Sequence, residues 1–306
     1  MKRREEPAEK LLTMQPAEET SLSEEGFLSA LYVPESDAYP GKVMILCGGS
    51  DGYFSLTKLI AEQYAGRGLT VLALAYWNQK GLPEELYHVP LEYGEKAAQW
   101  LKNRGYEKIA MAGVSMGAEY SLLCGCSFPD LITCVVGISP ISVVTQGLRK
   151  KTDRYKKMKL LDGSAFCLRG EELPWVPLRF DKKQMLKDCI KRKELTTLSC
   201  YRDVVEKSRE EGQIPAEKIL GPLLLLAADQ DSMWPSALSA EKIIRRREEK
   251  GLETQYEHYA YASHMLIPCK LKSRKIYRME RQFPEKCWQS DLDAFQKTLV
   301  FLKTRW

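Results

Sequence analysis

The chain has 306 residues, 46 lysines and arginines against 41 aspartates and glutamates, and 44% apolar residues. That is enough for one large or two ordinary cores and too apolar for a wholly disordered chain. A net charge of +5 on a chain that is 28% charged leaves no dedicated footprint for nucleic acid, so no nucleic-acid partner is expected.

Residues 1–24 are polar and charged, carry Pro7 and Pro16, and show no sustained apolar period; a flexible leader is expected there. They lack the apolar stretch of a secretory signal, and no run in the chain approaches the roughly 18 apolar residues that span a bilayer. No membrane span is expected, and the expected location is cytoplasmic. From Phe27 the pattern changes. Residues 27–33 read as a strand, 34–41 as a turn, and Lys42-Val43-Met44-Ile45-Leu46-Cys47 as a continuous apolar strand, together an antiparallel approach to a buried strand. Then come a helix over 57–66, a strand over 69–75, a helix from Pro90, a strand over 108–112, a helix over 117–126 and a strand over 132–138. Strands apolar from end to end, separated by amphipathic helices, predict an α/β fold with a mostly parallel central sheet covered on both faces.

The rhythm breaks between about Val144 and Gln213, where roughly seventy residues precede the next buried strand, far more than an ordinary α/β connection. An insertion lying as a lid over the C-terminal edge of the sheet is expected. Its start is basic (Arg149, Lys150, Lys151, Arg154, Lys156, Lys157, Lys159), its middle reads Trp175-Val176-Pro177-Leu178, and 184–209 has helical composition. The pattern resumes with a strand over 222–228, a helix over 236–250, an alternating strand over 254–261 and a helix over 290–303. Residues 25–306 are thus expected to form a single domain with one insertion.

Gly113-Val114-Ser115-Met116-Gly117 is a G-x-S-x-G pentapeptide placed after a strand and at the start of a helix. Two glycines permit a sharp turn that lifts the Ser115 hydroxyl off the sheet, and the Met116 N–H at the helix start points where an oxyanion would form. Alone, the pentapeptide equally suits a glycine-rich helix start whose serine caps. A serine nucleophile needs a base and an orienting acid, in the chain order Ser, acid, His. Of the three histidines, His88 precedes the serine and His258 alternates within a strand, whereas His264 follows the last strand in a loop and is the preferred base. For the acid, Asp229 and Asp231 follow the most apolar strand. Asp231 is preferred, because Asp229 lies nearer the strand end and suits the turn; the alternative is that both form the turn and cap the next helix. Gly48-Gly49-Ser50-Asp51-Gly52 places glycines after the first core strand, with Gly49 and Ser50 as candidate second oxyanion donors. Nine cysteines, an odd number lying largely in apolar runs, suit free thiols in a reducing cytosol. Cys124-Gly125-Cys126 is too tight for the usual zinc spacing and has no second Cys/His pair, so neither metal nor cofactor is expected.

These residues resemble the α/β-hydrolase superfamily and, within it, the C-terminal catalytic domain shared by acyl-CoA thioesterases and bile acid-CoA:amino acid N-acyltransferases. The resemblance covers about residues 40–305. It is carried by Gly48-Gly49-Ser50-Asp51-Gly52, Leu72-Ala73-Leu74-Ala75-Tyr76-Trp77 with Gly81-Leu82-Pro83, Val89-Pro90-Leu91-Glu92-Tyr93, the elbow at Ser115, Asp229-Gln230-Asp231 with Trp234-Pro235-Ser236, and Ala262-Ser263-His264. It implies an α/β-hydrolase fold, a Ser115–Asp231–His264 triad and hydrolysis of an acyl thioester through an acyl-enzyme. Animal members carry an immunoglobulin-like domain ahead of the catalytic one; the residues before Lys42 are too few for it, so the layout resembles the shorter bacterial members. Animal acyltransferases of the family have Cys at the nucleophile position, and Ser115 here favours transfer to water over transfer to an amine.

The expected partner is therefore a small acyl substrate, acyl-CoA-like, its phosphates meeting the basic start of the insertion while Trp175, Val176 and Leu178 line the acyl path. A solvated basic surface is the plainer reading of those charges. A carboxylesterase acting on oxygen esters would use the same triad, a serine peptidase of the superfamily is a further alternative, and a hydrolase-fold binding protein without activity is the alternative from another class.

Overall fold

The computed structural model describes residues 14–149 and 159–306. The first half of the chain runs β1 (Glu18–Thr20), β2 (Leu28–Tyr32), β3 (Lys42–Cys47), α1 (Phe54–Ala65), β4 (Thr70–Ala75), β5 (Val89–Pro90), α2 (Glu92–Asn103), β6 (Lys108–Val114), α3 (Met116–Ser127) and β7 (Cys134–Ile138). Then come β8 (Gln146–Arg149), β9 (Lys159–Ser164), β10 (Phe166–Leu168), β11 (Glu171–Glu172), α4 (Lys182–Arg192) and α5 (Leu198–Lys207). The chain closes with β12 (Leu223–Ala228), α6 (Ser236–Glu248), β13 (Gln255–Tyr259), α7 (Arg278–Gln282) and α8 (Pro284–Thr304).

An eight-stranded sheet has the order β1-β2-β4-β3-β6-β7-β12-β13. From β4 to β13 every pairing is parallel, and β2 alone runs the other way, antiparallel to both β1 and β4. This is the expected α/β-hydrolase architecture. Strand side chains alternate between faces, and because both faces are covered the strands are apolar throughout. In β3, Val43, Ile45 and Cys47 join one core with α2, α3 and α6, while Met44 and Leu46 join the other with α1 and α8.

Three details differ from the sequence reading. The expected leader is tied down in part: Glu18–Thr20 pairs with Ser29, Ala30 and Leu31, and the Thr20 hydroxyl bonds to Ser29 Oγ and the Phe27 carbonyl. A three-residue edge strand has too little period to be seen. β2 does lie antiparallel, but against β4 instead of its neighbour β3, which is paired on both sides by parallel strands. The helix expected from Pro90 starts at Glu92, since Val89 and Pro90 pair with β10 of the insertion. No helix among the described residues is long and apolar enough to cross a membrane.

Among the described residues, the segment between β7 and β12 holds two β units and two α-helices. β8 pairs with β9, β10 with β11 and β5, and main-chain bridges Val143–Gln213 and Thr145–Val176 stitch it together. Of the basic residues expected at its start, Lys150, Lys151, Arg154, Lys156 and Lys157 lie outside the described residues. Arg149 is paired with Glu85.

At the sheet edge opposite the site, Arg247 of α6 is 1% exposed. Its guanidinium donates to the Ala216, Gly221 and Glu253 carbonyls at 3.0–3.1 Å, to the Ile219 carbonyl, and to Thr254 Oγ1 at 2.9 Å. It thereby joins α6 to the segments leading into β12 and β13. A lysine cannot reproduce that fork. Arg247→Lys is predicted to cost about 2–3 kcal/mol, since several buried carbonyls lose their donor; chemical denaturation midpoints that match wild type would contradict this.

Candidate active site

The C-terminal ends of the parallel strands all open on one edge of the sheet, and that is where β3, β6, β7, β12 and β13 hand over to loops carrying polar residues. Ser115 lies at the turn from β6 into α3 with φ 58° and ψ −123°, a left-handed conformation that costs a non-glycine residue about 1–3 kcal/mol. The turn is over-determined. Ser115 N–H donates to the Ile138 carbonyl at 3.0 Å, and its own carbonyl accepts from Ala118 and Glu119. The flanking glycines are steric necessities: a Cβ at Gly113 would sit 1.9 Å from the Gly117 carbonyl oxygen, and one at Gly117 would sit 2.4 Å from the Cys47 and Gly48 oxygens.

His264 Nε2 is 2.8 Å from Ser115 Oγ, and His264 Nδ1 is 2.8 Å from Asp231 Oδ2. All three side chains are buried. An ionised carboxylate only accepts, so Nδ1 carries the proton and Nε2 accepts from the serine hydroxyl. Asp231 Oδ1 is held by the Met233 and Trp234 N–H groups at 2.8 and 3.3 Å, which orients the carboxylate toward the ring. Trp234 meets His264 edge to face at 5.3 Å, and its Nε1–H bonds the Ser139 carbonyl. The competing residues are used elsewhere. Asp229 faces His258 at 3.1 Å on the exposed side of β13, and His88 bonds Glu172 at 2.7 Å.

The Gly48–Asp51 loop lines the same cavity as Ser115 and Met116. Two residues not singled out for chemistry from sequence orient its peptides. Tyr76 OH donates to the Gly48 carbonyl at 2.7 Å, and Trp77 Nε1–H to the Gly49 carbonyl at 3.4 Å. In a trans peptide the next N–H points opposite to the carbonyl. The Gly49 and Ser50 N–H groups are therefore directed away from Tyr76 and Trp77, neither of which lines the cavity.

The cavity holds about 300 Å³. α1 contributes Leu56 and Ile60, the insertion contributes Leu148, Leu195 and Tyr201, and the segment after His264 contributes Ile267, Leu271 and Ile276. The insertion thus walls the site, but through residues other than those expected. Trp175, Val176 and Leu178 do not line it. Val176 N–H bonds the Val144 carbonyl and Leu178 N–H bonds Gln146 Oε1, so this stretch stitches the insertion together, and Trp175 Nε1–H bonds Glu172.

Glu119, one turn after Ser115, is fully buried and was missed in the sequence, although a lone carboxylate in the apolar run 116–126 is a signal. It accepts from Thr145 N–H at 2.7 Å and pairs with Thr145 Oγ1 at 2.9 Å, tying α3 to the start of the insertion. Burial pushes its carboxyl up to about 8, against the opposing pull of the Thr145 bonds.

A family model described as "BAAT / Acyl-CoA thioester hydrolase C terminal" matches residues 89–303. Rat (Rattus norvegicus) acyl-coenzyme A thioesterase 1 is 27% identical over 77% of this chain and 50% of its own length. Mouse (Mus musculus) acyl-coenzyme A amino acid N-acyltransferase 1 is 27% identical over 78% of this chain and 51% of its own. The chain spans about half the length of these curated relatives. Among solved structures, an esterase from Pyrobaculum calidifontis superposes with a TM-score of 0.53, covering 94% of this chain and 84% of that one at 14% identity, a likeness of fold.

Glu119 binds a proton more tightly in the folded than in the unfolded chain, so its stabilising contribution is full below the ordinary glutamate range and is lost as pH rises through about 8. Glu119→Gln copies the protonated acid and keeps both Thr145 bonds. Its Tm relative to wild type is predicted to rise by several degrees between pH 5 and pH 9; a difference that does not change with pH would contradict this.

Proposed function

The chain belongs to the BAAT / acyl-CoA thioester hydrolase C-terminal family, and from that premise we propose that it is a serine hydrolase that cleaves acyl thioesters of the acyl-CoA type. The observation that carries the reading is the hydrogen-bonded chain Asp231–His264–Ser115 at the floor of an apolar cavity. Ser115 Oγ attacks the acyl carbonyl carbon while His264 Nε2 takes its proton. Met116 N–H, with the Gly49 and Ser50 N–H groups, receives the charge that develops on the carbonyl oxygen. As the tetrahedral intermediate collapses, the C–S bond breaks and the thiol leaves with the proton from His264. Water then attacks the acyl-enzyme, again losing its proton to His264, and the C–O bond to Ser115 breaks to release the acid and restore the hydroxyl. Asp231 holds the imidazole in the required tautomer throughout.

A pocket near 300 Å³ is at the small end for ligand sites. It takes an acyl group and leaves a nucleotide-bearing leaving group at the rim. The segment whose Leu271, Ser273 and Ile276 line the cavity also carries the exposed Lys272 and Lys275, cationic side chains suited to phosphates. The oxygen-ester reading uses the same groups and is separated from the thioester one by the leaving group alone.

Ser115→Ala is predicted to lower turnover of acyl-CoA substrates by at least about 10³-fold in a folded protein; turnover near wild type would overturn the mechanism. Tyr76→Phe, which frees the Gly48 carbonyl, is predicted to lower kcat about tenfold with little change in KM; an unchanged kcat would remove the loop from the oxyanion site. Lys272→Glu with Lys275→Glu is predicted to raise KM for acyl-CoA about five- to tenfold while leaving that for the same acyl group on an uncharged thiol. Equal effects on both substrates, or a preference of the wild type for oxygen esters over thioesters, would contradict the acyl-CoA assignment.

A further inference from the structure

His264 lies beyond β13 in a loop, and a loop holds a base within tenths of an ångström of its nucleophile only where outside groups fix its main chain. The His264 carbonyl accepts from Ser139 Oγ at 2.8 Å. The residues on either side of His264 are held by one buried ion pair far along the chain. On the N-terminal side, Ser263 Oγ donates to Glu280 Oε1 at 2.6 Å and also accepts the Met265 N–H at 3.3 Å. On the C-terminal side, Arg274 donates to the Met265, Ile267 and Cys269 carbonyls at 2.8, 3.4 and 3.2 Å. The two halves meet where Arg274 Nη2 and Nε donate to Glu280 Oε1 at 2.6 and 3.0 Å.

Arg274 is 5% exposed, and Asp291 of α8 stands 2.6 Å from its Nη2, anchoring the pair to the domain. Burial pushes the Asp291 carboxyl up to about 8, against the opposing pull of the Arg274 guanidinium. A single planar fork reaching three carbonyls and a carboxylate is a geometry that lysine does not copy.

We infer that Arg274 and Glu280 are positioning residues: their ion pair grips Ser263 and Met265 together and so sets the distance of His264 from Ser115 and Asp231. The inference rests on the serine-hydrolase reading above. Displacing a base by about 1 Å costs on the order of 10²-fold in rate without touching the chemistry, and this pair is the only connection among those described that bonds to both neighbours of His264.

The test compares wild type with Arg274→Lys, Glu280→Gln and Ser263→Ala, and with Arg247→Lys as an equally conservative change at a buried arginine away from the site. Each is measured for Tm, for kcat and KM on an acyl thioester, and for the rate of fluorophosphonate labelling at Ser115. For Arg274→Lys and Glu280→Gln, kcat is expected to fall about 10–100-fold and the labelling rate in step, with KM within about threefold. Ser263→Ala should show a smaller loss of the same kind. Arg247→Lys should lose stability yet keep kcat within about twofold, assayed well below its Tm. Should Arg274→Lys fail to fold, Glu280→Gln and Ser263→Ala, which preserve size, decide. Wild-type turnover and labelling in those two would overturn the latch, as would an equal kcat loss in Arg247→Lys at equal loss of Tm. A wild type that neither labels at Ser115 nor turns over any acyl substrate would instead overturn the parent reading, and the latch with it.

Discussion

The site hangs from a backbone conformation that two missing side chains permit. With φ at 58°, Ser115 sits where an L residue is strained, and the turn closes only because Gly113 and Gly117 let α3 approach β6 and the end of β3 to within distances no Cβ tolerates. That close approach sets everything else. It brings the Gly48–Asp51 loop against Ser115, starts α3 with its N–H groups toward the cavity, and puts the hydroxyl where a base on a loop from the far side of the sheet can reach it. The strain is offset by the sheet: β6 lies between β3 and β7, and Ser115 N–H is captured by Ile138 of β7.

Much of this was legible in the sequence because it is local. An apolar strand, two glycines around a serine and a helix name the elbow, and chain order picks His264. The preference for Asp231 over Asp229 rests on local position, Asp229 lying nearer the strand end and Asp231 one step further out, and the structure puts Asp231 on His264 and Asp229 on His258. The continuous apolar strands likewise gave the sheet, because burial on both faces removes the polar alternation.

What was not legible depends on contacts remote in sequence. Trp175, Val176 and Leu178 carry an apolar signal that could equally serve a cavity or the packing of the insertion, and the bonds from Val176 N–H to the Val144 carbonyl and from Leu178 N–H to the Gln146 side chain decided for packing. Tyr76 and Trp77 look like ordinary strand-end aromatics until their polar atoms are seen on the Gly48 and Gly49 carbonyls. Arg274 and Glu280 read as members of a charged surface segment, and only burial beside α8 turns them into an internal clasp. The polar leader hid a strand because three residues of Glu-Glu-Thr carry no period. In each case a polar atom found its partner more than a few residues away, which a pattern of hydrophobicity does not encode.

The measurement that bears most directly on the account is the site of covalent capture by a serine-directed fluorophosphonate, mapped by mass spectrometry on the intact protein. Activation of Ser115 by His264 and Asp231 predicts one label per chain, on Ser115, lost in Ser115→Ala and in His264→Ala although both remain folded. Labelling of a different serine, or a folded protein in which Ser115 reacts no faster than the other serines, would contradict it.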